Sequence, residues 1–189
     1  MATANTNSQA GKEMLLQLLH RSREHFISSF AHVTDADSRR KPAESSWCIL
    51  ETVEHLAMAE TYMLRLITET RRPKSPGLPD REQVFLAVIT DRSRKSQAPE
   101  PSRPAGRFAN LTDAAARFKT SRDQTIQFVE QCQEDLRATE VTHPHPAAGI
   151  VSTFEMLIIM AQHAERHALQ IEEIKNNLAL HTATAGSQG

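Results

Sequence analysis

The stretch from Ser152 to Leu180 constrains this chain more than any other, because it contains neither Gly nor Pro and its apolar residues keep helical spacing. Met156, Met160, Ile171, Ile174 and Leu178 recur at intervals that place them on one side of a helix. It opens on Ser152-Thr-Phe-Glu155. A serine with a glutamate three residues on is a capping box, in which each side chain satisfies a free backbone N–H of the other's residue. The pattern predicts a long helix from Ser152 to about Leu180. Such a helix cannot bury its stripe alone, so it must pack against others.

Two histidines, His163 and His167, lie inside that stripe, away from the charged face formed by Glu165, Arg166, Glu172 and Glu173. Four-residue spacing stacks side chains one turn apart, where two imidazoles can share one ion. A lone histidine on an apolar face is ordinarily a core residue. The pair leaves both readings open, and a metal site needs a further ligand from another part of the chain.

Three further long stretches read as helices. Met14, Leu15, Leu18, Leu19, Phe26, Ile27 and Phe30 mark one from about Ser8 to His32. A second is expected from an N-cap at Ser45 or Ser46 through Val53, Leu56, Leu64 and Ile67 to about Arg71, where Pro73 and Pro76-Gly77 follow. A third runs from about Leu111 to Leu136 on Phe118, Ile126, Phe128 and Val129. Asp80 to Lys95 reads as a shorter helix in a proline-rich connection. Six glycines and no alternating β-branched runs argue against a sheet. The expected fold is therefore all-α, a four-helix bundle with one long connection between the second and third long helices. Residues 10–180 form one domain, between a polar lead at 1–9 and a polar tail at 181–189.

Charge and cysteine usage narrow the function classes. With 22 basic and 23 acidic residues the net charge is −1, so there is no nucleic-acid footprint. The apolar run Met156–Ala161 is far short of the roughly 20 residues that span a bilayer. No secretory leader is apparent. Cys48 and Cys132 make no disulfide framework, and a cytoplasmic chain with reduced thiols is the expectation.

His55 is the candidate third ligand. It follows Trp47 in the second helix, whose circumference is largely apolar. Glu60 falls among Leu56, Met63, Leu64 and Ile67, where a carboxylate needs a partner: a hydrogen bond behind the site, an oligomer contact, or an ion pair with an arginine. His143 and His145 precede the last helix and read as either a solvated loop or groups near the bundle mouth. His20, His25, His32 and His181 carry no spacing signal. Arg166 reads as a surface or interface residue.

Two segments together resemble the DinB/YfiT-like superfamily. One is Trp47-x-x-x-Glu51-x-x-x-His55-Leu56-x-x-x-Glu60. The other is Gly149 followed by His163-x-x-x-His167-x-x-Gln170-Ile171. The resemblance covers about residues 10–178. It implies up-down-down-up topology with a long crossover, and a metal triad of His55, His163 and His167. Cys48 stands where relatives often carry serine.

Three neutral imidazoles would leave metal positions open for water or substrate. Zinc and nickel suit imidazole best, with manganese and iron as alternatives. The resemblance implies a metal-dependent transferase using a low-molecular-weight thiol, or a hydrolase, acting on a small-molecule substrate. The alternative is a non-enzymatic metal-binding stress-response module or a dimeric interaction module. The sequence assigns no catalytic base.

Overall fold

A computed structural model of the chain describes residues 2–93 and 96–185. In chain order it contains α1 (Ala2–Ser29), α2 (Asp35–Ser38), α3 (Ile49–Thr70), β1 (Arg72–Pro73), α4 (Glu82–Val88), a 3-10 turn at Glu100–Ser102, α5 (Leu111–Gln131), β2 (Thr139–Thr142), β3 (Ile150–Ser152) and α6 (Thr153–Ala185). Side chains are described for residues 9–93 and 96–179, so the flanking segments expected at 1–9 and 181–189 fall largely outside them.

The helix starts follow from local hydrogen bonding. At α6 the capping box is formed: Ser152 Oγ accepts the Glu155 N–H at 3.1 Å, and the Glu155 carboxylate accepts the Ser152 N–H at 2.7 Å. Asn110 caps α5 by accepting the Asp113 N–H at 2.8 Å. Helix α3 starts later than its expected cap at Ser45 or Ser46. Its N-cap is Cys48, because the Glu51 carboxylate folds back onto the Cys48 N–H at 2.8 Å and is paired with Lys41 at 2.9 Å.

The four long helices form the expected bundle, and contacts along them fix its directions. Lys175 Nζ donates to the Ser29 carbonyl, and His25 meets Glu165, so the end of α1 lies beside the later turns of α6 and the two run parallel. Thr61 meets Ser121 and Arg71 reaches Cys132, so α3 and α5 also run parallel. Lys12, near the start of α1, donates to the Glu130 carbonyl near the end of α5, which makes that pair antiparallel. The topology is up-down-down-up, with residues 71–110 as the crossover.

Composition argued against a sheet, yet β1, β2 and β3 form a small antiparallel one, with Arg72 opposite Glu140 and Val141 opposite Val151. It forms because α5 ends at Gln131, short of the expected Leu136, and the freed chain folds back as a hairpin. Val141 and Val151 plug the end of the core. Glu140 is fully buried and satisfied by Arg72 Nε, the Ser75 N–H and the Ser75 hydroxyl, each at 2.9 Å. Strands this short carry no alternation a sequence reading could detect.

The buried side chains divide into two apolar clusters. One holds Leu15, Leu19, Met63, Ile67, Val129 and Met160, and the other Phe26, Val53, Leu56, Phe118, Ala168 and Ile171. A polar layer built on Glu60 and Arg122 crosses the bundle between them. No helix among the described residues is long and apolar enough to cross a membrane.

Candidate metal centre

His55 sits in the second turn of α3, and His163 and His167 sit one turn apart on α6. Their ligand atoms all lie within 4.8 Å of one another, and among the described residues they form a group able to hold a metal ion. His163 Nε2 is 3.3 Å from His55 Nε2 and 2.9 Å from His167 Nε2. Trp47 packs against the His55 ring at 4.9 Å between centroids.

Hydrogen bonds on the far side of two rings assign their protons. His55 Nδ1 lies 2.8 Å from the Ser102 carbonyl, and a carbonyl only accepts. The proton is therefore on Nδ1, and Nε2 presents a lone pair to the centre. His167 Nδ1 lies 2.9 Å from Gln170 Oε1, and Arg92 Nη1 donates to the same oxygen at 3.3 Å. An atom receiving a guanidinium N–H is an oxygen, so His167 also donates from Nδ1 and keeps a bare Nε2. This arrangement, a ligand imidazole anchored through its other nitrogen, is common around protein-bound metals.

Burial also keeps the rings neutral, the form that binds metal. It pushes His55 down to about 4. Burial first, and then the neighbouring imidazoles, hold His163 and His167 well below the ordinary histidine range.

The donor set fits a divalent cation. Two nitrogens about 2.0–2.1 Å from a tetrahedral zinc stand about 3.3 Å apart, close to the 3.3 Å and 2.9 Å separations here. Protein atoms alone satisfy the cluster poorly. A proton on His163 Nε2 can be shared with one neighbour, which leaves the other lone pair facing it. His163 Nδ1 is buried without a hydrogen-bond partner. A cation would accept all three lone pairs at once.

The remaining candidates fall into place around this centre. Glu60 forms the ion pair that its apolar setting called for, with Arg122 at 2.6 Å. His143 lies in the β2–β3 turn, half-buried and pushed down to about 4 by burial; its charge would oppose protonation of His163. Its Nδ1 meets the His145 N–H at 3.0 Å. Arg166, expected to be a surface or interface residue, is half-buried and donates to the Ile89 and Asp91 carbonyls, tying the crossover to α6. Cys48 is buried and its thiol is pushed up by burial, which disfavours a reactive thiolate. The sequence reading missed Arg92, Ser102 and Glu54. Gln170 was visible three residues beyond His167, whereas a backbone carbonyl such as that of Ser102 leaves no trace in residue type.

A sequence model described as the DinB superfamily matches residues 18–171. No curated protein matches the chain significantly. Among solved structures, it is similar to YfiT from Bacillus subtilis, described as "a probable metal-dependent hydrolase with an unusual four-helix bundle topology". The identity is 14% and the TM-score 0.58, over 89% of this chain and 87% of that one. It is also similar to a conserved protein from Enterococcus faecalis, at 15% identity and a TM-score of 0.59, over 87% of this chain and 95% of the other.

Proposed function

The chain belongs to the DinB superfamily, and from that premise we propose that it binds one divalent metal ion through Nε2 of His55, His163 and His167 and acts on a small molecule there. The observation that carries this reading is the convergence of neutral imidazoles in which His55 and His167 are turned lone-pair inward by Ser102 and Gln170. The description of the structurally similar YfiT protein as metal-dependent supports it. Zinc or nickel suits the all-imidazole set. Such an ion, with three protein ligands, would supply Lewis-acid activation of a water or of a small thiol, the basis of a hydrolase or a thiol transferase. The chain's own part is to exclude bulk water around His55 and His167, both about 95% buried, and to fix their rings.

The burial of the centre favours one second reading, an ion that only stabilises the bundle. Metal content and turnover together separate the two. Protein purified without added ions should carry about one ion per chain, and His163→Ala should carry almost none. Equal metal content in both would overturn the site. Turnover of small thiols or esters that stops on chelation and returns with metal supports catalysis. Chelation that lowers only thermal stability supports the structural ion.

A further inference from the structure

Glu54 precedes His55 on α3, and its carboxylate is 2% exposed. It accepts three consecutive backbone N–H groups of the crossover: Ala105 at 2.8 Å, Gly106 at 3.1 Å and Arg107 at 3.2 Å. The Arg107 guanidinium adds a fourth bond at 2.9 Å. Successive backbone N–H groups wrapped around one carboxylate make an anion nest, and Gly106 supplies the positive φ, 82° being seen elsewhere at Gly77 and 70° here, that lets this chain curl.

The clamped segment carries the carbonyl that orients His55. Only Arg103 and Pro104 separate Ser102 from the nest. The intervening chain is stiff. Pro99, Pro101 and Pro104 fix three φ angles, the Ser102 N–H donates to the Pro99 carbonyl at 3.0 Å, and Arg107 Nη1 donates to the Arg103 carbonyl at 2.7 Å. Where 105–107 is held, the Ser102 carbonyl is held too. Adjacent residues of α3 thus grip one strap: Glu54 takes its N–H groups, and His55 gives its Nδ1 proton to its carbonyl.

We propose that Glu54 is a positioning residue of the three-histidine centre, clamping residues 105–107 so that the Ser102 carbonyl keeps His55 Nε2 turned toward His163 and His167. The proposal rests on the metal-binding reading above and adds to it a residue that does not touch the ion. Partners of this kind, one shell out from the ion, are worth about 10–100-fold in metal affinity.

The test compares Glu54→Ala and Glu54→Gln with Glu140→Gln, another buried carboxylate that holds the opposite end of the crossover. Zinc affinity is measured by competition with a chromophoric chelator, and the His55 tautomer by imidazole nitrogen NMR of the metal-free proteins. We expect Glu54→Ala to lose about 10–100-fold in zinc affinity and to show mixed His55 tautomers. Glu54→Gln, which keeps one accepting oxygen, should fall between it and the wild type. Glu140→Gln should lose thermal stability and keep both zinc affinity and a single tautomer. If Glu54→Ala does not fold, Glu54→Gln against Glu140→Gln decides. Wild-type affinity and tautomer in the Glu54 variants would overturn the proposal, as would an equal affinity loss in Glu140→Gln. Should the wild type take up no zinc, the proposed function fails, and the metal-free spectra alone decide for or against Glu54.

Discussion

The Glu60–Arg122 pair and the three-histidine cluster both lie inside the bundle, with Glu60 and His55 five residues apart on α3, yet they end in opposite states. Arg122 uses all five of its N–H donors: on both Glu60 oxygens, on the Leu19 and Met160 carbonyls, and on the Ser22 hydroxyl. Thr125 completes Glu60 at 3.0 Å. Donors and acceptors match, so the network closes and joins all four long helices. The histidine cluster brings acceptors together with too few donors among them. A buried polar group is tolerated when its partners are present. The closed network finds its partners in the protein, and the open one needs them from outside.

That contrast can be broken most forcefully at Arg122. Arg122→Ala leaves the Glu60 carboxylate buried and unpaired, which should cost about 3–5 kcal/mol in denaturant unfolding. Replacing both partners, as in Glu60→Leu with Arg122→Met, should recover most of it. A loss below about 1 kcal/mol for the single variant would mean that the network relaxes around the gap and is not closed.

Acid probes the other cluster. The His55 pKa in the fold, about 4, lies below the ordinary 6.5, so the unfolded chain binds more protons between those values. The neutral ring's contribution is intact above pH 6.5 and is lost as pH falls toward 4, at about 1.4 kcal/mol per pH unit, or roughly 3 kcal/mol in all. His143, His163 and His167 are held low as well, so unfolding of metal-free protein followed from pH 7 to 4 should show at least this slope, and His55→Leu should reduce it by about 1.4 kcal/mol per pH unit. An unchanged slope in that variant would place the titrating group elsewhere.

The smallest effect sharpens the distinction between closed and open. Zinc at about 100 times its dissociation constant should raise stability by about 2.7 kcal/mol in the wild type and in the Glu60→Leu/Arg122→Met double variant, and not in His163→Ala. Equal stabilisation of His163→Ala would show that zinc binds somewhere other than this cluster.

How much of this was readable in the residues depended on whether the partner was local. The α6 capping box was legible because Ser152 and Glu155 are three residues apart. His163 and His167 were legible as a pair for the same reason. His55 was only a candidate from its place in the second helix, and the resemblance made it the third ligand, since nothing in its own helix points it at α6. Glu60 announced a missing partner without naming it. Arg122 stayed hidden because an arginine on an amphipathic helix ordinarily faces solvent. The sheet was invisible because its strands have two to four residues and are stabilised by Glu140 and the crossover. Glu54 repeats the signal of Glu60, an acid on a mostly apolar helix, and its partners are backbone groups that any sequence would supply.

The separation of His55 from His163 has a kinetic consequence. The two stand 108 positions apart, with the crossover, α5 and the hairpin between them. The unfolded chain holds no preformed centre, because only the docking of α3 against α6 brings these rings together. An ion seated there staples a long loop whose closure entropy the fold has already met. Such an ion can take all three ligands only once α3 and α6 have docked, so bound metal should act mainly by slowing escape from the folded state and should leave the rate of folding little changed.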